Sequence, residues 1–167
     1  VGAVLESYLG GQAWGGAVAD VLFGVSNPSG KLAETIPLRL EDVPSYLDFP
    51  GDTREVRYSE GVFVGYRYYD SRKMAVRYPF GNGLSYTRFS YSDGMLSQDG
   101  AQVSCVVTNE GDRLGAEVVQ LYVHHGSPSV VRPEQELKGF EKVVLAPGAT
   151  ATVEFPLTDR TFAYWDS

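Results

Sequence analysis

The sequence contains one cysteine, Cys105, so no disulfide can form within the chain. Its 14 lysine and arginine residues are outnumbered by 21 aspartate and glutamate residues, which gives a net charge of -7. Without a basic excess, the chain has no means of releasing counterions from a phosphate backbone. No apolar run is long enough to span a bilayer. The sequence therefore predicts neither a disulfide-stapled scaffold, nor a nucleic-acid-binding protein, nor a membrane-spanning helix.

Motifs for metal, phosphate or nucleophilic chemistry are also missing. His124 and His125 are adjacent, so in a strand they face opposite sides and cannot chelate one ion. The segment Gly-Leu-Ser-Tyr at 83–86 lacks the second glycine of a nucleophile elbow. The glycines around Asn82 predict a tight corner, because the helix and lysine of a phosphate loop do not follow them. The sequence predicts no metal site.

The composition is that of a folded, turn-rich β protein. Of the 167 residues, 43% are hydrophobic and 21% are charged, which is typical of a globular domain. Nineteen glycines, nine prolines and an aromatic share of 13% favour short strands joined by turns. The length suits one large or two small domains. The compartment, cytoplasmic or secreted, stays open, and a homo-oligomer is compatible with the sequence.

The first half of the chain predicts a helix, a short strand and a long connection. Apolar residues recur at helical spacing from 13 to 23, and Gly24 stands where a left-handed cap would end the helix. Residues 31–36 predict a short strand, and residues 38–57, interrupted by prolines, an extended surface connection. In the aromatic stretch at 60–70, we expect a helix or turn to Tyr66, with Tyr68 and Tyr69 entering an extended segment.

The second half of the chain predicts a β-sandwich. Strands are expected at 87–92, 102–108, 116–123, 136–145 and 150–157, separated by Gly- and Pro-containing turns. The strand at 116–123 is apolar on both faces, which favours a central position. This spacing is typical of an immunoglobulin-like or fibronectin-like sandwich, which usually has seven strands. We therefore expect the last one or two strands to be missing.

Candidate ligand-binding residues concentrate in the aromatic stretch. Arg67, Tyr69 and Asp70 supply a cation, a stacking face and a carboxylate that would suit a polyhydroxylated ligand. Glu60 and Asp70 could in principle act as an acid and base pair. Trp14 could stack on a sugar ring. Each also has a structural alternative, since the aromatic rings could pack in a core and the carboxylates could pair with Arg67.

Several motifs, in this order along the chain, resemble the C-terminal part of glycoside hydrolase family 3 enzymes, the β-glucosidase and β-xylosidase group. The resemblance is carried by GQAWGGAVADVLFG (11–24), NPSGKL (27–32), EGVFVGYRYYD (60–70), YPFGNGLSYT (78–87), VVQLYV (118–123), ELKGF (136–140), LAPG (145–148) and FAYWD (162–166). The last four resemble the family's fibronectin-type domain. The sequence differs from the family pattern at Asn82, where histidine is common, and at Trp14, where small or acidic residues are usual.

The resemblance implies a mostly β fold with a small α/β part. Residues 1–84 would be the C-terminal remnant of an α/β sandwich domain with the interdomain linker, and residues 85–167 a fibronectin type III-like sandwich. The family's nucleophilic aspartate lies in an N-terminal barrel and its acid/base glutamate in the α/β domain, both upstream of this chain. No catalytic residue is therefore assigned here, and Asp70, Tyr69, Arg67, Glu60 and Trp14 are expected at most to line the active-site rim.

The resemblance further implies that the intact enzyme hydrolyses terminal β-linked glucosides or related sugars without metal or organic cofactor. The expected partners are a carbohydrate substrate and the missing N-terminal catalytic barrel. The 167-residue chain alone would be inactive. Two other interpretations stay open: a stand-alone carbohydrate-binding module that uses the aromatic stretch as a stacking platform, and a structural spacer.

Overall fold

The computed structural model describes residues 2–52 and 54–165. Within them the chain forms three α-helices, seven strands and one 3-10 helix, and the fold is mostly β, as predicted. The elements are α1 (Trp14–Leu22), β1 (Ile36–Pro37), the 3-10 helix (Leu40–Asp42), α2 (Tyr66–Arg72), β2 (Val76–Tyr78), β3 (Phe89–Leu96), β4 (Gln102–Asn109), β5 (Gly115–Val123), β6 (Glu136–Leu145), β7 (Thr150–Pro156) and α3 (Asp159–Phe162). None of the described helices is long and apolar enough to cross a membrane.

Helix α1 confirms the prediction for residues 13–23. It ends at Leu22 with Phe23 as its C-cap, and Gly24 follows with a φ of 74°, a conformation that glycine adopts without steric cost. The Ser26 amide then donates to the Asp20 carbonyl at 3.0 Å, which satisfies one of the carbonyls left free at the helix end. None of the nine residues of α1 is buried.

The prediction of a strand at 31–36 is largely wrong. Only Ile36 and Pro37 are in a strand, paired with β2. Leu32 instead exchanges backbone hydrogen bonds with the corner at 79–82: its amide donates to the Asn82 carbonyl and its carbonyl accepts from Gly81, both at 2.8 Å. A turn occupies the position that a pairing strand would need.

The connection at 38–57 is less extended than expected, because it contains the 3-10 helix and a run of turns up to residue 48. The prediction for Tyr68 and Tyr69 is wrong, since both lie inside α2. Their aromatic side chains favour strands as isolated residues, but here the tertiary contacts of the helix override that preference. Lys73, with a φ of 52°, ends the helix in the left-handed conformation.

Strands β3 to β7 form the predicted sandwich. One sheet has the antiparallel order β3-β4-β7 and the other pairs β5 with β6. Strands β4, β6 and β7 closely match their predicted positions, and along β7 Val153 and Phe155 face inward as expected. The buried core between the sheets consists of Val107, Val119, Leu145, Val153 and Phe155.

The central position predicted for β5 is wrong within the described residues. There, β5 pairs with β6 alone. The corner at 79–82 contacts β5 through a side chain, since the Gln120 side-chain amide donates to the Gly81 carbonyl at 3.1 Å. The apolar character of Val118 and Leu121 therefore does not identify a strand with two strand neighbours.

Candidate functional site

Helix α2 attaches the aromatic stretch to the sandwich. Gly65 precedes it with a φ of 57°, so the chain enters the helix through a conformation that favours glycine. The Tyr66 hydroxyl accepts a hydrogen bond from the Leu137 amide at 2.7 Å, at the start of β6. The Tyr66 ring stacks on Phe80 with centroids 4.6 Å apart and meets the edge of Tyr122 at 5.9 Å. Tyr66 thus links the helix, the corner at 79–82 and the sandwich.

The next residue, Arg67, belongs to a charged cluster around Glu136. The Glu136 carboxylate lies 3.6 Å from Arg67, 2.5 Å from Arg132 and 3.6 Å from Lys138. Burial alone would raise the pKa of Glu136, but the Arg132 hydrogen bond and the three positive charges outweigh burial and lower it. Glu136 is therefore ionised at neutral pH and stabilises the contact between α2 and β6.

This lowered pKa predicts a pH dependence of stability. A carboxyl whose pKa is lower in the folded state contributes stability above its unfolded value, ordinarily 4.5, and loses it as the pH falls through the folded value. The free energy of unfolding of the wild type should exceed that of Glu136→Gln at neutral pH, and the difference should shrink below about pH 4.5. Urea titrations at a series of pH values measure this difference in the free energy of unfolding. Glu141→Gln, at an exposed position on the same strand, is the control. A difference that grows on acidification would contradict the assignment.

The end of α2 makes polar contacts to the segment before β6. The Gln135 amide donates to Asp70 Oδ2 at 2.9 Å, and the Glu134 backbone amide donates to Ser71 Oγ at 3.1 Å. Asp70 therefore accepts a hydrogen bond from a neutral side-chain amide. The ion pair between Asp70 and Arg67 is not formed, because Arg67 pairs with Glu136 instead. Asp70 and Arg67 lie on one short helix with part of their surface exposed.

The side chains of Tyr69, Glu60 and Trp14 take no part in these polar contacts. Tyr69 is only 4% exposed, and burial raises the pKa of its hydroxyl; its ring meets the edge of Tyr68 at 5.4 Å. Glu60 lies in the turn at 59–62 and has a buried Oε2 atom with no hydrogen-bond partner among the described residues. Trp14 begins α1 and is half-exposed.

The departure from the family pattern at Trp14 has a local explanation. The indole nitrogen donates to Ser7 Oγ at 3.0 Å. The indole also occupies the space beside Gly10, where an added Cβ atom would lie 1.7 Å from the ring. Trp14 is therefore accommodated because residue 10 has no side chain.

A second polar cluster, which the sequence did not predict, is centred on Glu117 of β5. Lys31 Nζ lies 2.9 Å from Glu117 Oε1 and also donates to the Gly83 carbonyl at 3.0 Å. The Tyr91 hydroxyl donates to Glu117 Oε1 at 3.0 Å. Glu117 is the single charged residue in β5, and a lone charge in an apolar strand was the signal that could have identified it.

The polar side chains of α2 are engaged in contacts with β6 and with the segment before it. Glu60 and Asp70 share no hydrogen bond, since Asp70 accepts from Gln135 and Glu60 Oε2 has no partner among the described residues. Over residues 2–52 and 54–165, no group of three or more His, Cys, Asp or Glu side chains could hold a metal ion.

Two family models match the chain. Residues 1–66 match the glycosyl hydrolase family 3 C-terminal domain, and residues 117–167 match the fibronectin type III-like domain. The chain is 56% identical to thermostable beta-glucosidase B of Acetivibrio thermocellus, covering 100% of this chain and 23% of that protein. It is 51% identical to an exo-alpha-(1->6)-L-arabinopyranosidase of Bifidobacterium longum, covering 97% of this chain and 22% of that protein.

Solved structures agree with the sequence relatives. The fold superposes on the crystal structure of a family 3 beta-glucosidase from Bifidobacterium adolescentis with a TM-score of 0.91 and 52% identity, covering 96% of this chain and 24% of that one. The chain thus spans about a quarter of the length of these relatives. From the two models and these similarities, we conclude that the chain belongs to glycoside hydrolase family 3, of which it carries C-terminal and fibronectin type III-like sequence.

Proposed function

We propose that this chain is the non-catalytic C-terminal part of a retaining β-glycosidase that hydrolyses terminal β-linked glucosides or related sugars. The carboxylates of such a mechanism lie about 5 to 5.5 Å apart, and we place both upstream of residue 1. Residues 1–84 would complete an α/β domain and its active-site rim, and residues 85–167 would form the accessory sandwich. The beta-glucosidases among the relatives support the substrate class.

The observation that carries this proposal is the large exposed surface of the chain. Its accessible area is 11993 Å², whereas a compact monomer of this length exposes about 8,000 Å². Large apolar side chains belong to this surface: Leu9, Phe23, Leu47 and Leu84 are all exposed, as is most of helix α1. A surface of this kind is typical of one part of a larger protein, in which other segments cover the apolar side chains.

The contacts of α2 support the assignment of a linker docked on an accessory domain. Tyr66 and Tyr69 are used in packing, which weighs against the alternative in which the aromatic stretch is a stacking platform of a stand-alone module. Arg67 and Asp70 keep part of their surface exposed beside that interface. We propose these two, with Glu60 and Trp14 as further candidates, as rim residues of a site completed by the upstream domains. Tyr69, which is only 4% exposed, would support this rim by packing beneath it.

The proposal predicts that the purified 167-residue chain does not hydrolyse an aryl β-glucoside. Neither member of the required carboxylate pair is assigned to it, so product release should not exceed the buffer rate. A full-length family 3 beta-glucosidase, assayed in parallel, shows that the assay detects activity. Hydrolysis that co-purifies with the chain and disappears in Glu60→Gln or Asp70→Asn would contradict the proposal.

A further inference from the structure

We propose that the cleft between the corner at 79–82 and strand β5 binds a neutral saccharide. This cleft, called here the Tyr91 cleft, has a volume of about 400 Å³ and is lined by Lys31, Asn82, Tyr91, Glu117, Gln120 and Gln135. The volume falls within the range of about 300–1,000 Å³ that is typical of small-molecule sites. The inference goes beyond the proposed function, because it concerns binding by this chain itself and requires no catalytic domain.

The aromatic wall of the cleft is held in place. Tyr91 is 51% exposed although its hydroxyl donates to Glu117 Oε1 at 3.0 Å, and Glu117 is in turn held by Lys31. Partial burial of the Tyr91 side chain and the nearby Glu117 charge raise the pKa of Tyr91, so the phenol stays protonated and keeps donating. An exposed ring that is fixed at its far end can stack on a ligand at a small cost in side-chain entropy.

Other polar side chains that line the cleft have hydrogen-bonding capacity left. The Gln120 carboxamide is oriented by two contacts, its nitrogen to the Gly81 carbonyl at 3.1 Å and its oxygen to the Tyr122 hydroxyl at 2.6 Å. One N–H of this amide is left for a ligand. Gln135 uses its nitrogen for Asp70, which leaves its oxygen as an acceptor. Among the described residues, the Asn82 side chain has no protein partner, so it offers both a donor and an acceptor.

These groups match the chemistry of sugar hydroxyls. A hydroxyl both donates and accepts, and carboxamides provide both functions, whereas an apolar ligand would leave them unsatisfied. The charges of Lys31 and Glu117 cancel at 2.9 Å, so the cleft has no excess positive charge to attract a phosphate or a sugar acid. An aromatic face beside neutral amides therefore favours a neutral polyhydroxylated ligand.

The test is calorimetric titration of the 167-residue chain with methyl β-glucoside and with cellobiose, and saturation-transfer NMR on the same samples. We expect weak, saturable binding that Tyr91→Ala reduces about two- to tenfold through loss of the stacking contact. Tyr91→Phe keeps the ring and should retain binding. Tyr58→Ala is the matched control, since Tyr58 is exposed and lies outside the cleft, and it should leave binding unchanged.

A second variant keeps the inference falsifiable if Tyr91→Ala fails to fold. Asn82→Ala removes only a side chain without a described partner, and we expect it to weaken binding with an unchanged melting temperature. Absence of saturable binding to the wild type, or binding that neither Tyr91→Ala nor Asn82→Ala weakens, would overturn the inference. The binding test measures no hydrolysis, so a lack of saccharide binding would not contradict the proposed function. In the same way, hydrolysis by the chain would not contradict saccharide binding in the Tyr91 cleft.

Discussion

Replacing Asn109 by alanine is expected to lower the free energy of unfolding by about 3–5 kcal/mol, because it leaves several buried polar groups without partners. Asn109 is fully buried at the end of β4, with an exposure of 0%. Its Nδ2 donates to the carbonyls of Arg113 at 2.7 Å and Leu145 at 2.9 Å. Its Oδ1 accepts from Thr87 Oγ1 at 2.6 Å and from the Gly111 amide at 3.1 Å.

One carboxamide thus joins the start of the sandwich, the β4–β5 turn and the end of β6. Urea unfolding, followed by circular dichroism, measures the loss in stability. Asn109→Asp keeps the two acceptor contacts but loses both donors, so it should also be strongly destabilised. Exposed Glu110→Ala is the neighbouring control and should change stability by less than about 0.5 kcal/mol. An Asn109→Ala protein within about 1 kcal/mol of wild type would show that water replaces these contacts.

The second large effect is expected at the ion pair between Lys31 and Glu117. Both side chains are mostly buried, and Lys31 Nζ lies 2.9 Å from Glu117 Oε1. Lys31→Met leaves the Glu117 carboxylate without its cation, which should cost about 3 kcal/mol. The double variant Lys31→Met/Glu117→Gln removes the unpaired charge and should recover most of that loss, although the hydrogen bond to Tyr91 weakens.

A double-mutant cycle from urea unfolding gives the coupling energy of this pair. The ion pair between Arg39 and Asp42 provides the matched control, because its N–O distance of 2.8 Å is similar while the Arg39 side chain is 72% exposed. Arg39→Met should cost less than about 1 kcal/mol. If Lys31→Met and Arg39→Met lowered the free energy of unfolding by equal amounts, burial would not be what makes the Lys31–Glu117 ion pair stabilising.

Local patterns predicted the elements whose side chains alternate without interruption. Along β7, Thr152 and Glu154 alternate with Val153 and Phe155, and such a pattern fits only a strand with one buried face. Helix α1 was recognisable because apolar residues at helical spacing are followed by a glycine in the left-handed conformation. These predictions depend on neighbouring residues and need no knowledge of distant contacts.

The errors occurred where distant residues decide the local structure. Residues 31–36 have the composition of a strand, but Leu32 pairs with a corner some fifty residues further along the chain. Tyr68 and Tyr69 favour strands by propensity, yet they lie in α2, whose first residue docks on Leu137. No sequence window contains both sides of such contacts.

In the candidate site, too, some features could be predicted from neighbouring residues and others depend on distant contacts. The residue types at 60–70 identified the aromatic stretch, and the family resemblance added the motif at 78–87. The pairing of Lys31 with Glu117 and of Arg67 with Glu136 is visible only in the three-dimensional structure. Asparagine at position 82, where the family commonly has histidine, fits the backbone of the corner. The Asn82 backbone amide donates to the Pro79 carbonyl at 3.1 Å. That hydrogen bond does not depend on the side chain, so the side chain is free to differ from the histidine of the family pattern.

The central claim is that this chain supplies a required but non-catalytic part of a family 3 β-glycosidase. The most direct test replaces the matching region of thermostable beta-glucosidase B, 56% identical to this chain, with residues 1–167 and measures hydrolysis of an aryl β-glucoside. We predict that the chimera is active, while the relative lacking that region and the chain alone are both inactive. A soluble, folded chimera without activity, or a truncated relative that keeps full activity, would contradict the account.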